Sequence, residues 1–168
     1  GFLGSHQMEN AATAVMTLET LSFLGVHIEV ADIYQGLKLA RWPGRLELIG
    51  ERPLVLIDGA HNVAGATALK AALERYFPKR KKILVLGILG DKDYDEILNK
   101  LIPMADVIVS TAPENPRALK ARKLSEAIRS LYPELVLNHH GLAPLDEKGK
   151  ITIYTEEQIK DAVRRAYS

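Results

Sequence analysis

No cysteine occurs among the 168 residues, which excludes disulfides, thiolate metal sites and cysteine nucleophiles and agrees with a reducing, cytoplasmic setting. No charge of one sign dominates: 22 Lys and Arg face 21 Asp and Glu, for a net charge of +1. That balance gives no broad polyanion-binding face and argues against nucleic acid as a partner. No apolar run approaches the roughly 18 residues that a membrane-spanning helix requires, so no membrane partner is expected. The common nucleotide fingerprints are missing too, since there is no Gly-x-x-x-x-Gly-Lys-Ser/Thr run and no Gly-x-Gly-x-x-Gly after a strand. Neither His-Glu-x-x-His nor Gly-x-Ser-x-Gly occurs, which removes support for zinc hydrolysis and elbow-type serine hydrolysis.

What is present is the composition of a globular domain, 47% hydrophobic and 26% charged at 18.6 kDa, about the size of one ordinary domain. The chain opens Gly1-Phe2-Leu3 without an initiator methionine or a basic-then-apolar leader, and reads as a piece of something longer. Apolar residues at three- and four-residue steps predict a helix between Gly4 and Gly25, with Ser5 as N-cap, and a second around Ile33 to Leu39. Arg41-Trp42-Pro43-Gly44 then breaks regular structure, and the core domain is placed after residue 40. Arg45 to Ile49 and Leu54 to Ile57 read as a hairpin. Beyond it helices (Val63 to Phe77, Asp93 to Leu101, Lys123 to Leu131, Thr155 to Tyr167) alternate with strands (Lys82 to Leu86, Asp106 to Ser110, Leu135 to Leu137, Ile151 to Tyr154). Asp93 with Glu96 and Thr155 with Gln158 read as capping boxes. This alternation predicts an α/β fold, a Rossmann-like, mostly parallel sheet with helices on both faces, preceded by a linker helix.

In an open α/β sheet ligands lie beyond the carboxyl ends of the strands, and three polar loops follow predicted strands. Asp58-Gly59-Ala60-His61-Asn62 leads into a helix whose free N–H groups favour an anion. Asp58 there suits sugar hydroxyls or a cation and His61 suits a phosphate, while the plainer reading makes Asp58 or Asn62 a helix cap. Gly87-Ile88-Leu89-Gly90-Asp91-Lys92-Asp93 brackets a lysine, which suits a carboxylate or phosphate or else belongs to a simple turn. Ala112 to Ala118, stiffened by two prolines, offers Arg117 to an anion. The basic cluster Lys79 to Lys82 reads as solvated surface, and His139-His140 as solvent-exposed rather than metal-bound.

Four segments in order carry a family resemblance. Gly4-Ser5-His6-Gln7 with Asn10-Ala11, Trp42-Pro43-Gly44-Arg45-Leu46-Glu47, Asp58 to Asn62 with Gly65-Ala66, and Leu86 to Asp93 resemble folylpolyglutamate synthase and its dihydrofolate synthase relatives in the Mur ligase superfamily. The resemblance runs from Gly4 to about Leu131. It implies an enzyme whose N-terminal P-loop domain binds ATP phosphates, Mg²⁺ and the folate, and whose C-terminal Rossmann-like domain presents L-glutamate. Residues 1–40 would be the interdomain helical segment and residues 41–168 the C-terminal domain, inactive alone, with the metal ligands mainly in the other domain and none assigned here. The implied reaction is ATP-dependent amide formation through an acyl phosphate.

By the same resemblance Asn10 contacts ATP at its base, Arg45 contacts it near the phosphates and Asp58 lies near the ribose. His61 orients phosphate or glutamate, and Lys92 takes the carboxylate of the incoming amino acid. The oligomeric state is left open, with a monomer as the expectation. The chain departs from the family over Glu134 to Tyr154, which is longer and more polar than usual, and it stops at Ser168, where the family continues into a last strand. Alternatives are another Mur-type ligase, such as one making a peptidoglycan precursor, and a nucleotide-binding module without chemistry.

Overall fold

The computed structural model describes residues 4–91, 93–133, 136–137 and 151–168, without the side chains of 5, 6, 136 and 137. Lys92, His139 and His140, and most of the polar stretch after Pro133, lie outside the described residues.

Two helices come first, α1 (Ser5–Phe23) and α2 (Val30–Leu39). Gly4 rather than Ser5 occupies the N-cap position of α1, and Gly25, at φ 92°, follows its end. Val15 and Leu18 are half-buried, whereas Met8, Phe23 and Val30 are exposed, so the apolar periodicity exceeds what these two helices cover between themselves. A separate antiparallel hairpin follows, β1 (Glu47–Glu51) with β2 (Leu54–Ile57). The first strand begins two residues later than its apolar run predicts because Gly44 and Leu46 take left-handed backbone conformations, φ 72° and 48°, which an extended ladder cannot include.

Helix α3 (Val63–Tyr76) leads into the main sheet, whose strands are β3 (Ile83–Leu86), β4 (Val107–Ser110), β5 (Val136–Leu137) and β6 (Thr152–Thr155), joined by helices α4 (Tyr94–Leu101) and α5 (Ala121–Leu131) and followed by α6 (Ile159–Tyr167). All pairings are parallel and the spatial order is β3-β4-β6-β5. All four residues of β4 are buried, as a strand covered on both faces must be. Ile108 joins Ile97, Leu98, Leu101, Leu124, Ile128 and Ile153 in the core on the α4–α5 side. Residues alternate across a strand, so Val107 and Val109 face the opposite side, where α6 packs on β3 and β4. Tyr154, on the same alternate face of the neighbouring strand, has the Arg165 guanidinium of α6 5.2 Å from its ring centre. The predicted α/β fold with helices on both faces is what the chain adopts.

Two expected caps are not made. Asp93 precedes α4 but its backbone (φ −72°, ψ 72°) is not extended, and its side chain accepts no bond from the helix. Thr155 is instead the last residue of β6, and its hydroxyl lies 2.6 Å from the Ser125 Oγ, which donates to Ser110 Oγ at 2.9 Å. This hydroxyl chain ties α5 to the ends of β4 and β6, and Gln158 takes the N-cap position of α6.

Candidate functional site

The turn at residues 42–46 and the loop at 58–62 abut. A Cβ at Gly59 would stand 3.3 Å from the Gly44 carbonyl, so the lack of a side chain at Gly59 is what lets the two loops approach this closely. Asp58 spans them: its Oδ2 accepts from Leu46 N–H at 2.8 Å and its Oδ1 from Ala60 N–H at 2.8 Å. The Glu47 carboxylate accepts from Gly44 N–H at 2.7 Å. Arg45 stands at the crest of this doubly tied turn, half-buried. No described residue pairs with its guanidinium, a planar fork of donors that stays charged at any physiological pH and suits phosphate.

His61 follows on the same loop. Its Nδ1 lies 2.9 Å from the Gly59 carbonyl, which can only accept, so Nδ1 carries the proton and Nε2 is the ring nitrogen free for a ligand. Asn62 is extended (φ −145°, ψ 170°), and its Oδ1 accepts from Gly65 N–H at 2.8 Å to cap α3. Of the two residues that sequence reading offered as the cap, Asn62 is the one. The cap leaves the N–H groups of Val63 and Ala64 in the first turn, where the helix dipole places positive potential. Asn62→Ala is expected to cost about 1 kcal/mol, within a 0.5–2 kcal/mol range, and to lower Tm by roughly 2–4 °C. Calorimetric melting checks this, and an unchanged Tm would mean that the cap bond is not stabilising.

A second pair of loops follows β3 and β4. Gly90 N–H donates to the Arg117 carbonyl at 2.8 Å and Leu119 N–H to the Ile88 carbonyl at 2.9 Å, forming a short antiparallel bridge at Leu89 and Ala118. A Cβ at Gly87 would come within 2.9 Å of Pro113. Arg117, read from sequence as available to an anion, pairs with the chain's own Asp91 at 2.8 Å. Sequence reading missed that ion pair because its partners are 26 residues apart. Lys92, next in the chain after Asp91, lies outside the described residues.

The structure thus sets Arg45 on one of two abutting loops and Asp58 and His61 on the other. Asn10 is exposed on α1, where its amide lies 3.4 Å from Gln7 Oε1, and no described contact ties it to the other three. Among the described residues no group of three His, Asp or Glu is arranged to hold a metal ion.

Residues 44–168 match the family described as Mur ligase, glutamate ligase domain. The chain belongs to this family. Among curated Mur ligase relatives, the dihydrofolate synthase/folylpolyglutamate synthase of Mycobacterium tuberculosis is 35% identical over 167 residues, 98% of this chain and 31% of that protein. A solved structure of Mycobacterium tuberculosis folylpolyglutamate synthase complexed with ADP and AMPPCP superimposes with a TM-score of 0.79 at 33% identity, covering 99% of this chain and 34% of that one. A bifunctional folylpolyglutamate synthase/dihydrofolate synthase with Mn, AMPPNP and L-glutamate bound superimposes at 0.64 with 26% identity, covering 89% of this chain and 31% of that one. The chain therefore spans about a third of the length of these relatives. Their names favour the folate branch of the Mur ligases over the peptidoglycan-type ligase and over the module without chemistry. No described helix is long and apolar enough to cross a membrane.

Proposed function

We propose that this chain is the C-terminal part of a cytoplasmic, monomeric, ATP-dependent ligase that adds L-glutamate to a folate, a folylpolyglutamate synthase with dihydrofolate synthase as its close variant. The observation that carries this reading is the grouping of Arg45, Asp58 and His61 on two abutting loops at the start of α3, in a chain whose relatives bear those names. In the reaction a folate carboxylate oxygen takes the γ-phosphoryl group of ATP, releasing ADP. The glutamate amine, having lost a proton, then attacks the acyl carbon, and the tetrahedral intermediate expels phosphate to leave the amide. Arg45 binds and orients the phosphates, Asp58 lies toward the ribose, His61 presents Nε2 to phosphate or glutamate, Asn10 contacts the base and Lys92 takes the glutamate carboxylate. Mg²⁺ supplies charge neutralisation on the phosphates when bound, and its ligands belong mainly to the preceding domain.

Residues 1–40 form the end of that preceding domain and residues 41–168 the C-terminal domain. Met8, Phe23, Val30, Tyr34 and Leu39 are all exposed on α1 and α2, Phe23 at 92% and Val30 at 80%, and this unburied apolar surface supports packing of the two helices against the preceding domain. The test is incubation of the full-length enzyme with ATP, L-glutamate and either dihydropteroate or tetrahydrofolate, followed by mass spectrometry. The expected product carries one added glutamyl residue for each ADP released. Ligation of a different amino acid, or ATP turnover that ignores both folates, would sink the proposal. Within that enzyme Asn10→Ala is expected to weaken ATP binding by about 0.5–1.5 kcal/mol, the value of one neutral hydrogen bond. Titration calorimetry reads that loss, and turnover at saturating ATP should stay unchanged.

A further inference from the structure

Resting on the proposed ligase reading, which seats the glutamate carboxylate on the loop after β3, we infer that Pro113 is a positioning residue for the amino-acid substrate, setting that loop through the bare Cα of Gly87. The loops after β3 and β4 leave the sheet side by side. Leu86 pairs with Ser110 in the ladder, and Thr111 N–H extends it by donating to the Leu86 carbonyl at 2.8 Å. Gly87 comes next, and there the Pro113 ring lies over it. A Cβ on Gly87 would stand 2.9 Å from Pro113 Cδ and 3.1 Å from Cγ, well inside the ordinary carbon–carbon separation of about 3.5–4.0 Å. The φ of Gly87 lies outside the left-handed region, so its backbone would accept an alanine and the ring is what forbids one. The loop that carries this ring is braced from within. Proline fixes its own φ, the Pro113 carbonyl accepts from Asn115 N–H at 2.7 Å, Asn115 Oδ1 accepts from Arg117 N–H at 2.9 Å, and the Asn115 carbonyl accepts from Ala118 N–H at 2.9 Å. Leu119 N–H donates to the Ile88 carbonyl and Gly90 N–H to the Arg117 carbonyl, so the loop after β3 is fastened to this brace on both sides of Leu89 as well as at Gly87. A displacement at the contact of Gly87 with Pro113 is therefore passed along the loop. Both loops stand at the carboxyl ends of their strands, where an open α/β sheet takes its ligands.

The experiment is steady-state kinetics of the full-length enzyme, with glutamate and ATP varied separately, for Gly87→Ala, Pro113→Ala, the double variant and Gly90→Ala. Gly87→Ala is expected to raise the glutamate KM roughly 10- to 100-fold, the scale of a group displaced by about 1 Å. Its ATP KM should stay within about 2-fold of the wild type, as for a site independent of the change. Pro113→Ala alone should raise the glutamate KM about 3- to 10-fold by removing the ring against which the loop rests. In the Gly87→Ala background it should instead lower the glutamate KM at least about 3-fold, because residues in contact are not additive. Gly90→Ala keeps its N–H, and a Cβ there meets nothing closer than 3.6 Å, so its glutamate KM should stay within about 2-fold of the wild type. A merely structural role would neither separate the two KM values nor reverse the sign of the Pro113→Ala effect. An unchanged glutamate KM in Gly87→Ala, an equal rise in its ATP KM, a Gly90→Ala effect as large, or no recovery in the double variant would overturn the inference. If Gly87→Ala does not fold, Pro113→Ala decides by itself: a raised glutamate KM with an unmoved ATP KM supports the inference, and an unmoved glutamate KM overturns it. Wild-type enzyme that ligates a different amino acid refutes the functional reading instead, and the KM for that amino acid in the same variants still decides the role of Pro113. Wild-type enzyme that ligates no amino acid refutes both.

Discussion

Arg45→Ala in the full-length ligase is expected to reduce turnover roughly 10²- to 10³-fold, the loss seen when one preorganised electrostatic contact to a reacting group is removed. Arg45 is half-buried, its turn is held by Asp58 and Glu47, and no described group neutralises its charge. A cation arranged in this way is positioned before any ligand arrives, and in the proposed ligation its interaction would be strongest where phosphoryl charge shifts between ATP and the acyl phosphate. Steady-state kinetics with ATP varied check the expectation. Arg45→Lys should recover only part of the loss, because an ammonium keeps the charge but not the two-pronged geometry. A variant whose turnover falls less than that of Asn10→Ala would remove Arg45 from the phosphate site.

Lys92→Ala is expected to raise the KM for glutamate roughly 10- to 150-fold while leaving the KM for ATP nearly unchanged, as the loss of one charged hydrogen bond of about 1.5–3 kcal/mol. The loop around it is firmly held: Gly90 donates to the Arg117 carbonyl and Asp91 is paired with the Arg117 guanidinium. The plainer reading of Lys92 is a turn residue that pairs with a neighbouring aspartate. Of the two neighbouring aspartates Asp91 already has Arg117 as its partner, which leaves Asp93 for that reading, and an exposed pair of this kind is worth little in any case. Varying glutamate and ATP separately distinguishes the two. Lys92→Arg should rescue poorly, since a planar fork does not replace a compact charge in a fitted pocket. An unchanged glutamate KM in a folded Lys92→Ala enzyme would return the residue to the surface.

The candidate site was partly readable from the chain. Asp58 to Asn62 stood out because Asp, Gly, His and Asn in succession after an apolar strand and before a helical period leave few local roles, and the loop indeed ends in the α3 cap. Arg45 was picked out by resemblance alone. What made it a defined cation, the bond from Asp58 to Leu46 across 12 residues, had no local sign in the sequence. The capping boxes failed for a related reason. Spacing places a carboxylate or hydroxyl near a helix start, but the backbone angle at Asp93 and the pull of Ser125 on Thr155 decide where each side chain bonds.

By itself the sequence determined the order of elements, the hairpin and the parallel α/β class, because alternation and 3.6-residue periodicity record which face of each segment leaves water. Only the tertiary structure decided that β6 inserts between β4 and β5, that Ser110, Ser125 and Thr155 form one hydroxyl chain, that Arg117 serves Asp91, and that Asp58 clasps the Arg45 turn. Burial is a property of a residue and its near neighbours and leaves a local pattern. A polar side chain's partner is whichever donor or acceptor the fold brings within 3 Å or so, and segments far apart in sequence carry no mark of that meeting.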